Sequence, residues 1–264
     1  MAGLASMGGA AQAAGGGGGA EKDYLELRLY RAEPGAMRER LDTFVREAAI
    51  PALNRIGIAN VGVFELMDEK VAGGPPSTPP NAIGPADVFV LRAHKSIESF
   101  ATANRRLWAD AEFQKAGAAF LDPPKASPTY KRIESSLMLA FDQCAHLEVP
   151  QQRKDTRVFQ LRIYESHSDA KAIKKIEMFN TGGEIALFRR MGINPVFFGQ
   201  TLIGAKMPNL TYMVAFDDMA AQKAGWAKFM AAPEWAELKA KPEYADTVSG
   251  ITNLLLRPTA YSQL

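Results

Sequence analysis

Cysteine and histidine are scarce in this chain, and their scarcity excludes several kinds of site. Cys144 is the single cysteine among 264 residues, so the chain holds no intrachain disulfide and no cysteine-rich metal site. A lone cysteine of this kind is most simply a small buried residue. The three histidines, His94, His146 and His167, have none of the helical spacings of a metal site. The sequence therefore predicts no metal and no cofactor.

Excess charge and long apolar runs are also missing. The chain carries 31 Lys and Arg against 29 Asp and Glu, and no basic block stands out, which argues against a nucleic-acid partner. No apolar run approaches the ~20 residues needed to cross a bilayer, so no membrane span is predicted. Phosphate-binding loops and hydrolase signature motifs are absent as well. An apolar content of 47% is typical of a globular protein.

The first 22 residues form an Ala/Gly-rich segment that we interpret as a flexible lead-in. Gly15 to Gly19 is an unbroken glycine run, whose conformational entropy opposes any helix or strand. Ala11-Gln12-Ala13 has the A-x-A form of a signal-peptide cleavage site, but the first basic residue is Lys22, so a basic n-region is missing. Two interpretations stay open: a plain tail on a cytoplasmic protein, or the remnant of a truncated signal peptide on an exported, periplasmic one.

What the chain does have is an internal repeat. Tyr-Leu-Glu-Leu-Arg-Leu-Tyr at residues 24–30 returns as Val-Phe-Gln-Leu-Arg-Ile-Tyr at residues 158–164, an offset of 134 residues. Other pairs match in the same order: Leu-Asn-Arg-Ile-Gly-Ile with Phe-Arg-Arg-Met-Gly-Ile, and Ala-Glu-Phe with Pro-Glu-Trp. A repeat of this length indicates two units of small-domain size.

Each unit has the pattern strand, helix, strand, strand, helix, strand, with alternating apolar residues in the strands and helical spacing between them. The predicted strands are residues 24–30, 61–67, 87–92, 130–141, 158–164, 196–199, 210–216 and 251–256. The predicted helices are residues 36–53, 96–120, 169–191 and 220–239, with Ser96 as an N-cap, a kink or early end at Pro51 and a left-handed C-terminal Gly57. Residues 68–85 hold five of the 16 prolines and predict a long hairpin loop of open role.

This pattern predicts an α+β fold of two tandem ferredoxin-like βαββαβ units. The predicted organisation is a lead-in over residues 1–22, a first unit over 23–142, a linker over 143–157 and a second unit over 158–264.

The repeated motifs resemble the NIPSNAP family, within the dimeric α/β-barrel group of ferredoxin-like folds. The resemblance rests on the Tyr/Phe-x-Leu-Arg-x-Tyr strand, the Arg-x-Gly-Ile segments at Arg55 and Arg190, and the Pro-Glu-Trp segment that ends at Trp235. It implies that the two units close into one barrel, a pseudo-dimer, with helices outside and further assembly into a homo-oligomer. No motif among these is a catalytic signature, and whether the protein is an enzyme stays open.

Strand alternation leads to a candidate ligand site. If Leu25, Leu27 and Leu29 pack under the helices, the alternate side chains face the barrel lumen. These lumen candidates are Glu26, Arg28, Tyr30, Gln160, Arg162 and Tyr164, with apolar walls from Phe198, Tyr212, Val214 and Phe216. Arginine offers paired hydrogen bonds to a small anionic or oxygen-rich ligand.

Three functions remain open on the sequence. The first is a NIPSNAP protein that binds a small ligand or a protein partner through its barrel. The second, implied by cousins of this barrel group, is a cofactor-independent monooxygenase or isomerase acting on a small substrate in the lumen. The third is haem binding through His94 or His167, although both are better interpreted as surface residues. Against any site stands a purely structural interpretation, in which the repeated Arg and Tyr residues fill a polar core.

Overall fold

The computed structural model describes residues 21–67, 83–152 and 154–264. The lead-in over residues 1–20 and residues 68–82 of the predicted proline-rich loop lie outside these described ranges. The predictions made for those two segments therefore stay predictions.

Eight antiparallel strands close into a barrel. Their order around it is β1-β3-β2-β8-β5-β7-β6-β4, so each half of the chain contributes four adjacent strands. The two halves meet where β2 pairs with β8 and where β4 pairs with β6. The prediction of a mixed α/β barrel is confirmed. The strands are β1 (Tyr24–Arg31), β2 (Gly62–Leu66), β3 (Val88–His94), β4 (Arg132–Ala140), β5 (Val158–Glu165), β6 (Asn194–Ile203), β7 (Asn209–Phe216) and β8 (Gly250–Pro258).

Helices follow β1 and β3 in the first half, and β5 and β7 in the second. They are α1 (Ala36–Phe44), α2 (Ile50–Arg55), α3 (Ile97–Trp108), α4 (Ala111–Leu121), α5 (Asp169–Phe179), α6 (Glu184–Arg190), α7 (Met219–Ala231) and α8 (Pro233–Ala240). Within the described part of the chain, none of these helices is long and apolar enough to cross a bilayer.

Pro51 does not end the first helical segment. A π-helical turn, Val45–Ala49, joins α1 to α2, and the Ile50 amide donates to the Val45 carbonyl. Proline lacks an N–H and its ring crowds the carbonyl four residues earlier, so a wider turn placed just before it relieves both problems. The helix then continues to Arg55.

Three long predicted helices are each broken in two. In the first half, Asp110 caps α4, because its carboxylate accepts from the amides of Glu112 and Phe113. In the second half, Gly183 has φ +90° before α6, and Pro233 occupies the first turn of α8. Caps, left-handed glycines and first-turn prolines start new helices inside segments whose apolar spacing is continuous.

Glycine ends the corresponding helices of both halves, as predicted for Gly57 in the first half. Gly57 and Gly192 have φ +85° and +79°. The next amide, of Ile58 or Ile193, donates over 2.9 Å to the carbonyl of Leu53 or Phe188. A left-handed residue at this position costs least when it is glycine.

The predicted assignment of strand faces is wrong. Apolar side chains from all eight strands fill the lumen, among them Leu25, Leu27, Phe159 and Leu161. Tyr30 and Tyr164 instead pack with helices, as do the predicted lumen walls Phe198, Tyr212, Val214 and Phe216. Helices cover the outside of the closed barrel, so both strand faces are buried and alternation alone cannot tell one from the other. An eight-stranded barrel is only wide enough for side chains to fill it, which favours apolar residues inside.

Candidate functional site

A large cavity lies between the sheet and the helices of the first half (β1–β4 and α1–α4). Its volume is about 1430 Å³. Arg28, Tyr30 and Arg92 line it from the strands, and Asn104 lines it from α3. Six aromatic side chains also line it: Tyr30, Phe44, Trp108, Phe113, Phe120 and Tyr130. We call it the first-half cavity. Pockets for small molecules combine largely apolar walls with a few polar groups in this way.

A buried polar cluster forms the floor of this cavity, centred on Glu26. The Glu26 side chain is 1% exposed. One carboxylate oxygen, Oε1, accepts from Arg28 Nε and, over 3.2 Å, from Ser135 Oγ. The other, Oε2, lies 3.2 Å from His94 Nε2 and 3.5 Å from Arg92 Nη1. One carboxylate therefore serves two guanidinium groups and an imidazole.

These neighbours set the charge of Glu26. Burial raises the pKa of its carboxyl, but the hydrogen bond from His94 and the charges of Arg92 and Arg28 outweigh burial. The pKa therefore lies far below its ordinary value, and Glu26 is ionised at neutral pH. Burial, and next the nearby Arg28 charge, lower the pKa of Arg92 against the opposing effect of Glu26. A guanidinium with an ordinary pKa above about 12 still stays charged.

Arg92 has hydrogen-bonding capacity to spare. Its side chain is 3% exposed and lines the cavity. Among the described residues its Nε has no hydrogen-bond partner. The Nε atoms of Arg157 and Arg162 are likewise without a partner there, so what distinguishes Arg92 is that it also lines the cavity.

The second half (β5–β8 and α5–α8) uses the equivalent space differently. Arg162 lies over the rings of Tyr164 and Trp226, with its Cζ 5.0 and 5.1 Å from their centroids. The Gln160 carbonyl accepts from Gln222 Nε2 and Trp226 Nε1 over 3.2 and 2.7 Å. Here the predicted residues pack into a polar core, as the structural interpretation expects.

A second buried charge pair, Lys175 with Glu184, completes the packing of that core. Their Nζ and Oε2 atoms are 3.0 Å apart. Burial raises the pKa of Glu184, and the charges of Lys175 and Arg162 oppose the shift. This pair lies where the first half leaves open volume.

Matching positions explain why only the first half keeps a large cavity. Asn104 and Trp226 lie equally far from the N-caps Ser96 and Asp218 of α3 and α7. Each faces the repeated arginine of its own half: Arg28 Nη2 donates to Asn104 Oδ1 over 3.4 Å, whereas Arg162 lies over the Trp226 ring.

Two further pairs of matching positions differ between the halves in the same way. Ala49, which lines the cavity, precedes Gly57 by the same interval as Glu184 precedes Gly192. In the strands, Glu26 is paired with Arg92, and Gln160 with Val214. The first half thus has smaller side chains on its helices and more charge on its strands.

The histidines divide between surface and interior. His167 is exposed as expected. His94 is not a surface residue, because its ring is fully buried between Glu26 and Ser99 Oγ, which lies 3.4 Å from Nδ1. Both ring nitrogens are thus engaged. Among the described residues, no group of three or more His, Cys, Asp and Glu side chains is placed to hold a metal ion.

The lumen offers little room compared with the first-half cavity. A cavity of about 140 Å³ remains at one end, lined by Leu27, Leu29, Leu161 and Ile163 among others. None of the six predicted site residues lines it. Cys144 is buried as expected, and burial, followed by the Glu148 carboxylate, raises the pKa of its thiol to about 12.

Sequence reasoning found four of the residues concerned and missed the roles of three others. Glu26, Arg28 and Tyr30 lie at the first-half cavity or its floor, and Arg162 occupies the matching position in the packed half. Arg92 and Asn104 were not predicted, and His94 was considered only as a haem ligand, not as a partner of Glu26. A usable signal existed for Arg92, since it is a charged residue in an otherwise apolar strand sequence, Val-Phe-Val-Leu-Arg-Ala-His. Such a residue is buried only when it has partners.

Comparison with known proteins gives a family for the second half of the chain. Residues 159–263 match the NIPSNAP family model. An uncharacterized NIPSNAP-like domain protein from Burkholderia xenovorans is similar over 41% of this chain and 90% of its own, at 21% identity and a TM-score of 0.37. A comparison with curated proteins found no match.

Two solved structures are similar over nearly the whole chain. A provisionally named monooxygenase from Fusobacterium nucleatum is similar over 90% of this chain and 92% of its own, at 7% identity and a TM-score of 0.53. A provisionally named monooxygenase from Lactobacillus acidophilus is similar over 90% and 94%, at 11% identity and a TM-score of 0.53. At these identities the likeness is one of fold.

The buried Glu26 cluster leads to a prediction about pH. Glu26→Gln should lower the free energy of unfolding at neutral pH by about 3–5 kcal/mol, because two guanidinium groups lose their shared partner. The depressed pKa makes the stabilisation by Glu26 complete above the ordinary value of 4.5 and progressively lost as the pH falls below it. Urea unfolding should therefore show the gap between wild type and variant narrowing from about pH 6 to about pH 3.

Glu134→Gln provides the control. Glu134 is a half-exposed carboxylate that pairs with Arg31 at 3.3 Å, and its loss should cost about 1 kcal/mol or less. A gap for Glu26→Gln that stays constant over the same pH range would contradict an ionised, cation-paired Glu26.

Proposed function

We propose that this protein is a NIPSNAP barrel that binds a small organic ligand in its first-half cavity, since residues 159–263 match the NIPSNAP family model. The observation that carries the proposal is the difference between the halves. The repeated arginine of the second half is packed between Tyr164 and Trp226, whereas Arg28 borders about 1430 Å³ of open volume. A purely structural role for the repeat would leave both arginines equally enclosed.

The ligand site proposed here differs from the one that strand alternation suggested. Arg28 and Tyr30 line the cavity, and Glu26 lies behind them and holds Arg28 in place. Gln160, Arg162 and Tyr164 serve the packed core of the second half. We therefore assign ligand contact to the first set and a structural role to the second.

Matched variants of the two repeated arginines test the proposal. Native mass spectrometry of wild-type protein purified from its own host should show a bound small molecule. Arg28→Ala should lose it, and so should Asn104→Trp, which places in the first half the side chain that fills the second. Arg162→Ala should keep it, since Arg162 lies outside the cavity. Circular dichroism verifies that each variant is folded.

The outcome against the proposal is equally definite. Wild-type protein without any bound molecule, or retention of that molecule in both folded first-half variants, would mean that the cavity is not a binding site. The same spectra give the mass of the assembly. We expect a homo-oligomer, because apolar side chains are exposed together at one end of the barrel, namely Ile133, Leu202, Ile203, Met207 and Ile251.

A second candidate function is cofactor-independent oxygenation or isomerisation in the same cavity. What favours oxygenation is that two barrels similar over 90% of this chain carry provisional monooxygenase names. The packed lumen leaves the first-half cavity as the place for it. In a monooxygenation the electron-rich substrate supplies the electrons, one atom of dioxygen enters the substrate and the other leaves as water, so no bound cofactor is required.

Oxygen uptake tests this candidate. With naphthalene-1,4-diol as the probe, wild-type protein should form 2-hydroxy-1,4-naphthoquinone and water, and should raise the rate of oxygen consumption above the spontaneous rate by about 100-fold or more. Asn104→Trp, with its cavity filled, should not. Equal rates for wild type and variant would leave binding as the function of the cavity.

We also propose that the barrel is a pseudo-dimer of two ferredoxin-like units, over residues 23–142 and 158–264, joined by the linker 143–157. The support is that each half supplies four adjacent strands to the closed barrel. Two separate chains, residues 21–150 and 154–264, should therefore assemble on mixing into a 1:1 complex that elutes like the intact protein in size-exclusion chromatography. Chains that stay apart or precipitate would contradict independent units.

A further inference from the structure

The floor of the first-half cavity has more positive than negative charge. Arg28 and Arg92 both bind the single carboxylate of Glu26, which leaves one cation without a matching anion among these three groups. Uncompensated charge is expensive to bury. An anionic ligand would supply the missing charge.

The acidic residues around the opening do not correct this surplus, because they have basic partners of their own. Arg31 Nε lies 2.8 Å from Asp87 Oδ2, and Arg31 Nη1 lies 3.3 Å from Glu134 Oε1. Lys131 pairs with Glu33. Arg132 also lines the opening, so three basic residues there balance the three acidic ones, and the surplus lies at the floor.

Arg92 is the donor that best indicates the kind of anion. Its Nη1 is directed to Glu26, and its Nε, buried at the cavity, has no acceptor among the described residues. A guanidinium presents parallel N–H donors in a plane, which match the two oxygens of a planar carboxylate. Arg28 faces the same cavity, so a carboxylate there would meet two cations.

Aromatic rings form the rest of the enclosure. Phe44 and Phe120 stack with centroids 4.0 Å apart, and Tyr30 meets Phe120 and Tyr130 edge-on at 6.4 and 6.5 Å. Trp108, which is 54% exposed, meets Phe113 edge-on at 6.4 Å. The ring faces and edges that line the cavity give a flat aromatic ligand surfaces to pack against. The volume of about 1430 Å³ exceeds what a single ring would fill.

We propose that the first-half cavity takes a polycyclic aromatic carboxylate, with the carboxylate on Arg92 and Arg28 and the fused rings among the aromatic walls. This rests on the proposed function of the cavity as a ligand site and specifies its ligand class. Asn104, whose carbonyl accepts from Arg28, orients that guanidinium beside the carboxylate.

Isothermal titration calorimetry with three probes tests the proposal on the full chain. The probes are 2-naphthoate, its neutral counterpart 2-naphthamide, and decanoate, which keeps the carboxylate without the rings. We expect 2-naphthoate to bind at least tenfold more tightly than either of the others. Equal affinity for the acid and the amide would overturn the carboxylate assignment, and equal affinity for 2-naphthoate and decanoate would overturn the aromatic one.

Variants locate the binding. Arg92→Gln should reduce the affinity for 2-naphthoate at least tenfold and bring it close to that for the amide, whereas Arg162→Gln should leave it unchanged. Trp108→Ala, at a half-exposed position where a folding defect is not expected, should weaken 2-naphthoate and leave decanoate unaffected. An unchanged affinity in Arg92→Gln and in Trp108→Ala would overturn the proposed binding mode.

Failure of this inference can be told apart from failure of the proposed function. If none of the three probes binds while native protein carries a molecule that Arg28→Ala loses, the cavity is a site and the ligand class proposed here is wrong. If neither observation is made, the cavity is not a ligand site and both proposals fail.

Discussion

Closure of the sheet is the constraint on which the rest of this structure depends. Once eight strands join into a ring with helices outside, each strand has one face toward a narrow lumen and one toward a helix layer. A charged side chain is harder to accommodate in the lumen than under the helices, because the lumen is narrow and lined by neighbouring strands alone. Leu25, Leu27, Phe159 and Leu161 fill it. Charged residues of the same strands therefore lie under the helices, where side chains such as Asn104 and Trp226 can meet them.

The same constraint explains how far the sequence could predict the molecule. Alternation in the repeated strand separated Leu27 from Arg28 correctly and identified the residues that share a face. It could not say which face points into the lumen. Both faces of the strand are buried, so alternation does not distinguish the lumen side from the helix side. The breaks within helices were missed for a similar reason, since Asp110 and Gly183 interrupt an apolar spacing that is otherwise continuous. The site itself was only half predicted, because Arg92 and His94 reach Glu26 from another strand.

The two halves share one order of strands and helices but have different interiors. In the second half, the space around the repeated arginine is filled by Trp226, Gln160 and the buried pair of Lys175 and Glu184. In the first half, the repeated arginine donates to Glu26, and open volume remains where the second half has larger side chains. The comparison within one chain thus separates what the fold requires from what a site adds. An arginine at this strand position is compatible with a solid core, so the cavity depends on the residues around it.

The two junctions between the halves are short strand pairings. β2 and β8 share only the register from Phe64 to Leu66, whereas β1 pairs with β4 from Tyr24 to Arg31. Each half therefore has two edge strands that pair over only a few residues with the other half, and these strands could pair equally well with the opposite half of a second molecule. Exchange of this kind is domain swapping. What favours closure within one chain is the effective concentration set by the linker. The linker is anchored to both halves. The Leu147 amide donates to the Asp23 carboxylate of the first half, and the Glu148 amide donates to the Val196 carbonyl of the second. Lengthening or loosening the linker would shift the balance from barrels closed within one chain toward barrels that exchange halves between chains, without changing a single contact in either half.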